Sequence, residues 1–555
     1  MGKSKGFPTI GYNPTEEANR WVEQYSFNSI NNVIAMFGLG NGIFARTIVN
    51  KMNKGDTLII YEPCAELFMH VLHKYNLTDL LENPNVIIAI KDINEFDFHN
   101  MLQSKTNVTN IKNVIKCIYP NYDNIFTESC IQFWQEIKDA YNHQIIQINT
   151  MIAFGRVYIE NTIKNLKYLP KTLSIFELRE ILPKDIPAIV VAAGPSVANQ
   201  IEDLRKVKGK ALIIAVDRIL DYLLDSGVIP DFVFTLDPIK PVEYFTKRKK
   251  VTIPLLTFMV SNNEIFEIHE GKKIICNCSD FLQDYYININ KIPPKIIASS
   301  SVATAAFTAC VELGFKNIIL VGQDLAYKGN VTHAGGIEEK IDLNNEIMTE
   351  GVNGEIVRTR YDWKVFLKWY EDFLTIYPSI NVIDTKDSGA KIKGTKLMSL
   401  EQAIKKYSNV ESQFVITDES LMSTFSDDDI NKLRDYLQDS LTQLEEIKVM
   451  TEEALEICDK LIIDNEINLA SRSIDKNLKK LKRINSFIVE QQIYELMDPY
   501  VTAVSAQKLA DAYQFSDDLK EDSFNTYIRA KAIFEGMIEA ANIIQPLLND
   551  AIKII

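Results

Sequence analysis

Cysteine, histidine and positive charge are all scarce in these 555 residues. The seven cysteines (Cys64, Cys117, Cys130, Cys276, Cys278, Cys310 and Cys458) are odd in number and scattered. That pattern argues against a disulfide framework and suits a reducing compartment. Cys276-Asn277-Cys278 has no second pair to complete a thiolate metal site, so strand-end packing is its reading. Of six histidines, only His269 and His333 fall between residues 186 and 400. Lys and Arg number 60 against 74 Asp and Glu, a net charge of -14. Nucleic acid, whose phosphates are held chiefly by Lys and Arg, is therefore not the expected partner. No charge-free apolar run approaches the roughly 18 to 20 residues of a membrane span, and Met1-Gly2-Lys3-Ser4-Lys5-Gly6-Phe7-Pro8 carries no apolar signal stretch. A cytoplasmic protein that does not enter the membrane is expected.

What is present is ample apolar material, 46% of residues, in a chain too long for one core. Three domains are expected: Rossmann-like α/β over 1–168, a second Rossmann-like α/β domain over 169–400, and an all-α bundle over 401–555. In the first, Val33-Ile34-Ala35-Met36-Phe37 runs into Gly38-Leu39-Gly40-Asn41-Gly42, and Thr57-Leu58-Ile59-Ile60-Tyr61 ends at Glu62. Glycines after a strand followed by a strand-end acid suit a dinucleotide or methyltransferase-type loop, with Glu62 on a ribose. Tyr119, Tyr122, Phe133 and Trp134 read as packing aromatics. In the last domain, Ile430, Leu433, Leu437, Leu441, Leu444 and Ile447 recur at helical steps, and Asp427 and Asp429 fit a first turn.

The middle domain carries the chemistry. Ile186 to Ala193 is a buried-strand run that stops at Gly194-Pro195-Ser196. Ala211 to Val216 ends at Asp217, Phe232 to Leu236 ends at Asp237, and Asn317 to Val321 ends at Gly322-Gln323-Asp324. Ser299-Ser300-Ser301 opens a further helical run. Open parallel sheets bind ligands at such carboxyl edges, where backbone N–H groups meet phosphates. The aspartates are expected to be exposed edge groups that add little to the core. They also offer oxygen ligands on which Mg²⁺ is possible. His333, in the polar loop Gly329 to Gly336, is the candidate general base, with Asp324 as the alternative; His269 is expected at the surface.

In their order, these residues resemble the motility-associated factor family. Further marks are Leu223 to Asp231, Thr332-His333-Ala334-Gly335-Gly336 and Gly389 to Thr395, so the likeness covers about residues 186 to 400. The resemblance implies a glycosyltransferase that moves a nonulosonic acid (pseudaminic or legionaminic acid) from a CMP-activated donor to Ser or Thr of flagellin. The same core is similar to bacterial CMP-sialic acid sialyltransferases. That likeness implies Gly194, Pro195 and Ser196 at the donor phosphate or ribose, Asp217 at the cytidine or ribose, and Ser300 at the nucleotide or sugar carboxylate. Asp237, Ser299, Ser301 and Gln323 complete the implied donor site. Tyr327 and His333 follow the Gly-x-Asp edge more closely than the corresponding residues of sialyltransferases do, and their catalytic roles are assigned by proximity. No cofactor or metal is required by this chemistry. Two other classes stay open: a pterin diphosphokinase-type phosphotransferase and a non-catalytic flagellin-binding factor. The sugar, the modified hydroxyls and the oligomeric state are not legible.

Overall fold

The computed structural model describes residues 13–27, 31–53, 55–107, 110, 114–246, 251–297, 301–335, 337–338, 346–408, 416–467, 472–508 and 519–555. Ser299 and Ser300 lie outside the described residues. The chain forms two compact units: residues 1–155, 451–484 and 499–538 make the first, and residues 156–450, 485–498 and 539–555 the second.

The first unit holds a four-stranded parallel sheet of β1 (Val33–Phe37), β2 (Thr57–Glu62), β3 (Val86–Ile90) and β4 (Val114–Ile118) in the order β3-β2-β1-β4. Residues alternate between two cores. Ile34 and Met36 join Trp21 and Phe44 on one face, and Ala35 and Phe37 join Tyr122 and Phe133 on the other. Both faces are covered, so the strands read as unbroken apolar runs.

The second unit is built on nine strands: β5 (Leu173–Ser174), β6 (Ala188–Val191), β7 (Leu212–Val216), β8 (Phe232–Thr235), β9 (Leu255–Phe258), β10 (Lys273–Asn277), β11 (Asn317–Val321), and two further along the chain. Between β11 and those two come short antiparallel pairs, β12 (Val331–His333) with β13 (Ile337–Glu338), and β14 (Glu346–Glu350) with β15 (Ile356–Arg360). The last two strands are β16 (Asn381–Asp384) and β17 (Lys396–Leu397). The sheet order is β17-β16-β11-β6-β7-β8-β9-β10-β5, and every neighbouring pair is parallel. Ala188 and Val190 point into a core shared with helices Val302–Glu312 and Tyr361–Ile376. Ile189 and Val191 point into the opposite core, with Val197, Leu204 and Leu400. Strand order reverses between β6 and β11. In an open α/β sheet that reversal opens a crevice at the carboxyl ends, where ligands bind.

After residue 416 the described chain is helical: Asp427–Glu466, Arg472–Val489, Tyr494–Lys508 and Leu519–Ile554. Asp429 takes the capping place expected of a first-turn acid, its carboxylate accepting from the Ser426 amide at 2.9 Å. Among the described residues, no helix is long and apolar enough to cross a membrane.

Candidate functional site

The reversal between β6 and β11 brings together two of the segments singled out above. The Gly194 amide donates to the Gly322 carbonyl at 2.9 Å. A Cβ on Gly194 would lie 2.4 Å from that oxygen and 2.7 Å from the Asp324 carboxyl carbon, so only glycine allows this approach. One step on, the Asp324 carboxylate accepts from the Ser196 amide at 2.7 Å and from the Ser196 hydroxyl. The two turns are thus locked to each other through a carboxylate. Burial pushes the Asp324 pKa up, against the pull of the Ser196 bonds and of Lys386. Leu325, next in line, takes φ +50°, a conformation costly for a leucine, and its carbonyl is held by the Thr359 hydroxyl at 2.7 Å.

Beneath this turn lies a buried ion pair. Lys386 Nζ sits 2.7 Å from Asp384 and donates to the Gln323 carbonyl at 3.0 Å, with the side chains of both Lys386 and Asp384 out of solvent. Asp384 ends β16 just as Asp217 and Asp324 follow β7 and β11, so the same strand-end rule would have found it. The Gln323 side-chain oxygen is buried with no hydrogen-bond partner.

Farther along the edge, Asp217 accepts from Thr235 Oγ1 at 2.8 Å and from the Arg218 amide at 2.7 Å, with Lys240 Nζ 3.2 Å away. Burial raises its pKa, with Lys240 the main opposing influence. Lys240 also approaches Asp237, at 3.9 Å. The turns that carry these groups are tied to the helix Thr127–Asn165: Asn161 donates to the Pro238 carbonyl at 2.9 Å, and Asn165 to the Met259 and Ser261 carbonyls, each at 2.9 Å.

This geometry corrects the expectation that the aspartates are exposed edge groups. Asp217 is 2% and Asp324 6% exposed, because Asp217 opens a helical turn and accepts from its Arg218 amide, while Asp324 turns inward onto Ser196 at the start of the helical turn after β6. Nor do Asp217, Asp237 and Asp324 gather as a metal-binding group. Among the described residues no three His, Cys, Asp or Glu side chains do so.

His333 ends β12, and the amide that follows it, Ala334 N, donates to the Ala193 carbonyl at 2.8 Å. The histidine loop is therefore pinned to the residue before Gly194-Pro195-Ser196. His333 Nδ1 lies 2.8 Å from Thr332 Oγ1. Tyr327 is half-buried, its ring 4.9 Å from that of Trp363. Ser301 and Thr304 form a reciprocal capping box at the start of helix Val302–Glu312. A helix leading into a parallel strand runs against it, so this N-terminus stands at the same carboxyl edge.

His269 is buried, not on the surface. Its Nε2 meets the Ile253 carbonyl at 2.8 Å, Phe245 packs edge-on, and burial lowers its pKa to about 4. The acidic neighbours Glu267 and Glu270 concealed an inward-turned ring. Cys276 and Cys278 are buried and free, as strand-end packing requires.

In the first unit, Glu62 corrects a further expectation. Its carboxylate accepts from the Leu39 amide at 2.9 Å and the Cys64 amide at 3.2 Å. The space over the glycines is taken by tyrosine rings: a Cβ on Gly38 would lie 2.2 Å from Tyr122, and one on Gly40 2.3 Å from Tyr119. Glu62 braces the loop from within, and burial pushes its pKa up to about 6.

Comparisons with known proteins match this architecture. Residues 160–330 match the family model described as 6-hydroxymethylpterin diphosphokinase MptE-like. A stretch of 127 residues is 27% identical to an uncharacterised protein of Treponema pallidum (strain Nichols). That stretch is 22% of this chain, which spans about half (54%) of the relative's length. A solved structure, that of a Maf glycosyltransferase from Magnetospirillum magneticum, aligns with 99% of this chain and 88% of its own at a TM-score of 0.52 and 17% identity. The resemblance to motility-associated factors drawn from the motifs is thereby met in the fold, which this chain shares with a Maf glycosyltransferase over nearly its whole length.

Proposed function

We propose that this protein is a glycosyltransferase that moves a nonulosonic acid, of the pseudaminic or legionaminic type, from its CMP-activated form to Ser or Thr of flagellin in the cytoplasm, in support of flagellum assembly. One observation carries the reading: the lock between Ser196 and Asp324 at the strand-order reversal, with the His333 loop pinned to Ala193 beside it. The donor's anomeric carbon bears a carboxylate and departs from a phosphate through an oxocarbenium-like state. Its bond to the phosphate oxygen breaks with the electron pair left on CMP, and the acceptor oxygen bonds to the carbon as its proton leaves. Asp324, committed to Ser196, shapes the turn, and His333 takes the proton. Tyr327, Ser300 and the amides opening helix Val302–Glu312 stabilise the departing phosphate. Gly194, Pro195, Ser196, Gln323, Asp217 and Asp237 shape the nucleotide site. The chemistry needs no cofactor, and no step is routed through a metal.

Incubating the purified protein with CMP-pseudaminic or CMP-legionaminic acid and flagellin tests this by intact mass. Flagellin is expected to gain whole nonulosonic acid residues. The MptE-like match favours a second reading, pterin diphosphokinase-type transfer, which requires ATP and carboxylates gathered on Mg²⁺. Consumption of ATP with a hydroxymethylpterin, and no mass gain on flagellin, would support it. Flagellin bound but unmodified would leave a non-catalytic binding factor.

A further inference from the structure

β15 brings another cation to the carboxyl edge. The Tyr327 amide donates to the Arg358 carbonyl at 2.9 Å, and Thr359 Oγ1 donates to the Leu325 carbonyl at 2.7 Å, so this strand is stitched to the segment leaving Asp324. Side chains alternate along a strand. With Thr359 turned onto that segment, Arg358 and Arg360 face the other way. There the Arg358 guanidinium lies over the Tyr327 ring at 5.5 Å, Tyr327 meets Trp363, and Arg360 lies over Trp363 at 4.2 Å. Two guanidiniums lie over two neighbouring, mutually tilted rings. Arg360 pairs with Asp362 at 2.8 Å and stands opposite Glu346. Arg358 stands opposite Met348, a wall of a cavity of about 350 Å³ that Lys364, Lys391, Lys393, Glu350 and Glu371 also line, with Lys391 paired to Glu350 at 2.6 Å.

We propose that Arg358 is a binding residue for the carboxylate of the donor sugar. Its planar fork matches two carboxylate oxygens, and the guanidinium lies over the Tyr327 ring, 5.5 Å from its centre. The inference rests on the CMP-nonulosonate reading of the same site and adds the residue that distinguishes an acidic sugar from a neutral one. The phosphate of CMP offers similar oxygens, so the test separates the two.

Calorimetry without acceptor on the full chain, with CMP-N-acetylneuraminic acid, CMP and cytidine as probes, decides it. Arg358→Gln is expected to weaken the CMP-sugar about tenfold or more, the loss of a charge-assisted pair, and to leave CMP within about twofold. Arg360→Gln should bind all probes as wild type does. If Arg358→Gln loses cooperative unfolding, Arg358→Lys, which keeps charge but not the fork, supplies the measurement, with a smaller loss confined to the CMP-sugar. An equal loss for CMP moves the contact to the phosphate and overturns the proposal. Unchanged binding of both probes overturns it and leaves the donor reading standing. Wild-type protein that binds neither CMP nor the CMP-sugar removes the donor reading and this inference together.

Discussion

Asp324 spends its carboxylate on a neighbouring turn, and that decides what its loss will do. Asp324→Ala leaves the buried Ser196 amide and hydroxyl without their acceptor, at about 1 to 3 kcal/mol for each stranded group. The melting temperature should fall by several degrees in step with lost CMP binding, read by differential scanning fluorimetry and calorimetry. An unchanged melting temperature would mean the lock is not formed in solution. His333 is the contrasting case, half-buried at the end of β12. His333→Ala should lower flagellin turnover by about 10² to 10⁴ with CMP binding kept. Retention of more than about a tenth of the activity would remove it as the base. The strand-end carboxylates were found from sequence because each follows an apolar run. Their burial was not, because a partner 128 residues away, as Ser196 is from Asp324, leaves no local mark.

At the scale of elements, the crevice depends on two turns that approach within a hydrogen bond. Gly322 has φ +69°, and a Cβ there would meet Val197 Cγ2 at 2.2 Å and the Ala192 carbonyl at 2.7 Å. Gly194→Ala and Gly322→Ala should therefore each cost about 1 to 3 kcal/mol through overpacking, and more where the backbone cannot yield. Thermal melts with CMP titrations check this, and normal stability with normal binding in either variant would show that the turns are not in contact. The strand-turn-helix plan around β6, β7, β8 and β11 was legible because parallel strands covered on both faces are unbroken apolar runs with polar ends. The β14–β15 pair was not. Its strands, Glu-Ile-Met-Thr-Glu and Ile-Val-Arg-Thr-Arg, mix charged, polar and apolar residues without the strict alternation that marks a strand, and β15 meets the segment after Asp324 through the Tyr327 amide and the Thr359 hydroxyl, each bonded to a backbone carbonyl that carries no sequence signal.

At the scale of the molecule, the two compact units carry buried titrating groups of opposite effect. Glu62, raised from 4.5 to about 6 in the folded state, binds its proton more readily there than when unfolded. Its contribution is greatest below pH 4.5 and is lost as pH rises through 6, about 2 kcal/mol in all. His269 drops from 6.5 to about 4, so its contribution is present above pH 6.5 and is lost as pH falls toward 4, about 3 kcal/mol. Between pH 7 and pH 5, hydrogen exchange corrected for its intrinsic rate should become relatively slower in β1 and β2 and faster in β9 and β10. Glu62→Gln and His269→Gln should each flatten only the response of their own unit. A uniform change across both sheets would show that neither group governs the pH dependence.

The tyrosines over the first unit's glycine loop have a consequence in terms of competition. Rings delivered by the fold itself are present at an effective concentration that no dissolved nucleotide matches, and they carry no entropy of association. The loop behaves as a receptor already saturated by its own chain. Its order is supplied by Tyr119 and Tyr122 of the same chain.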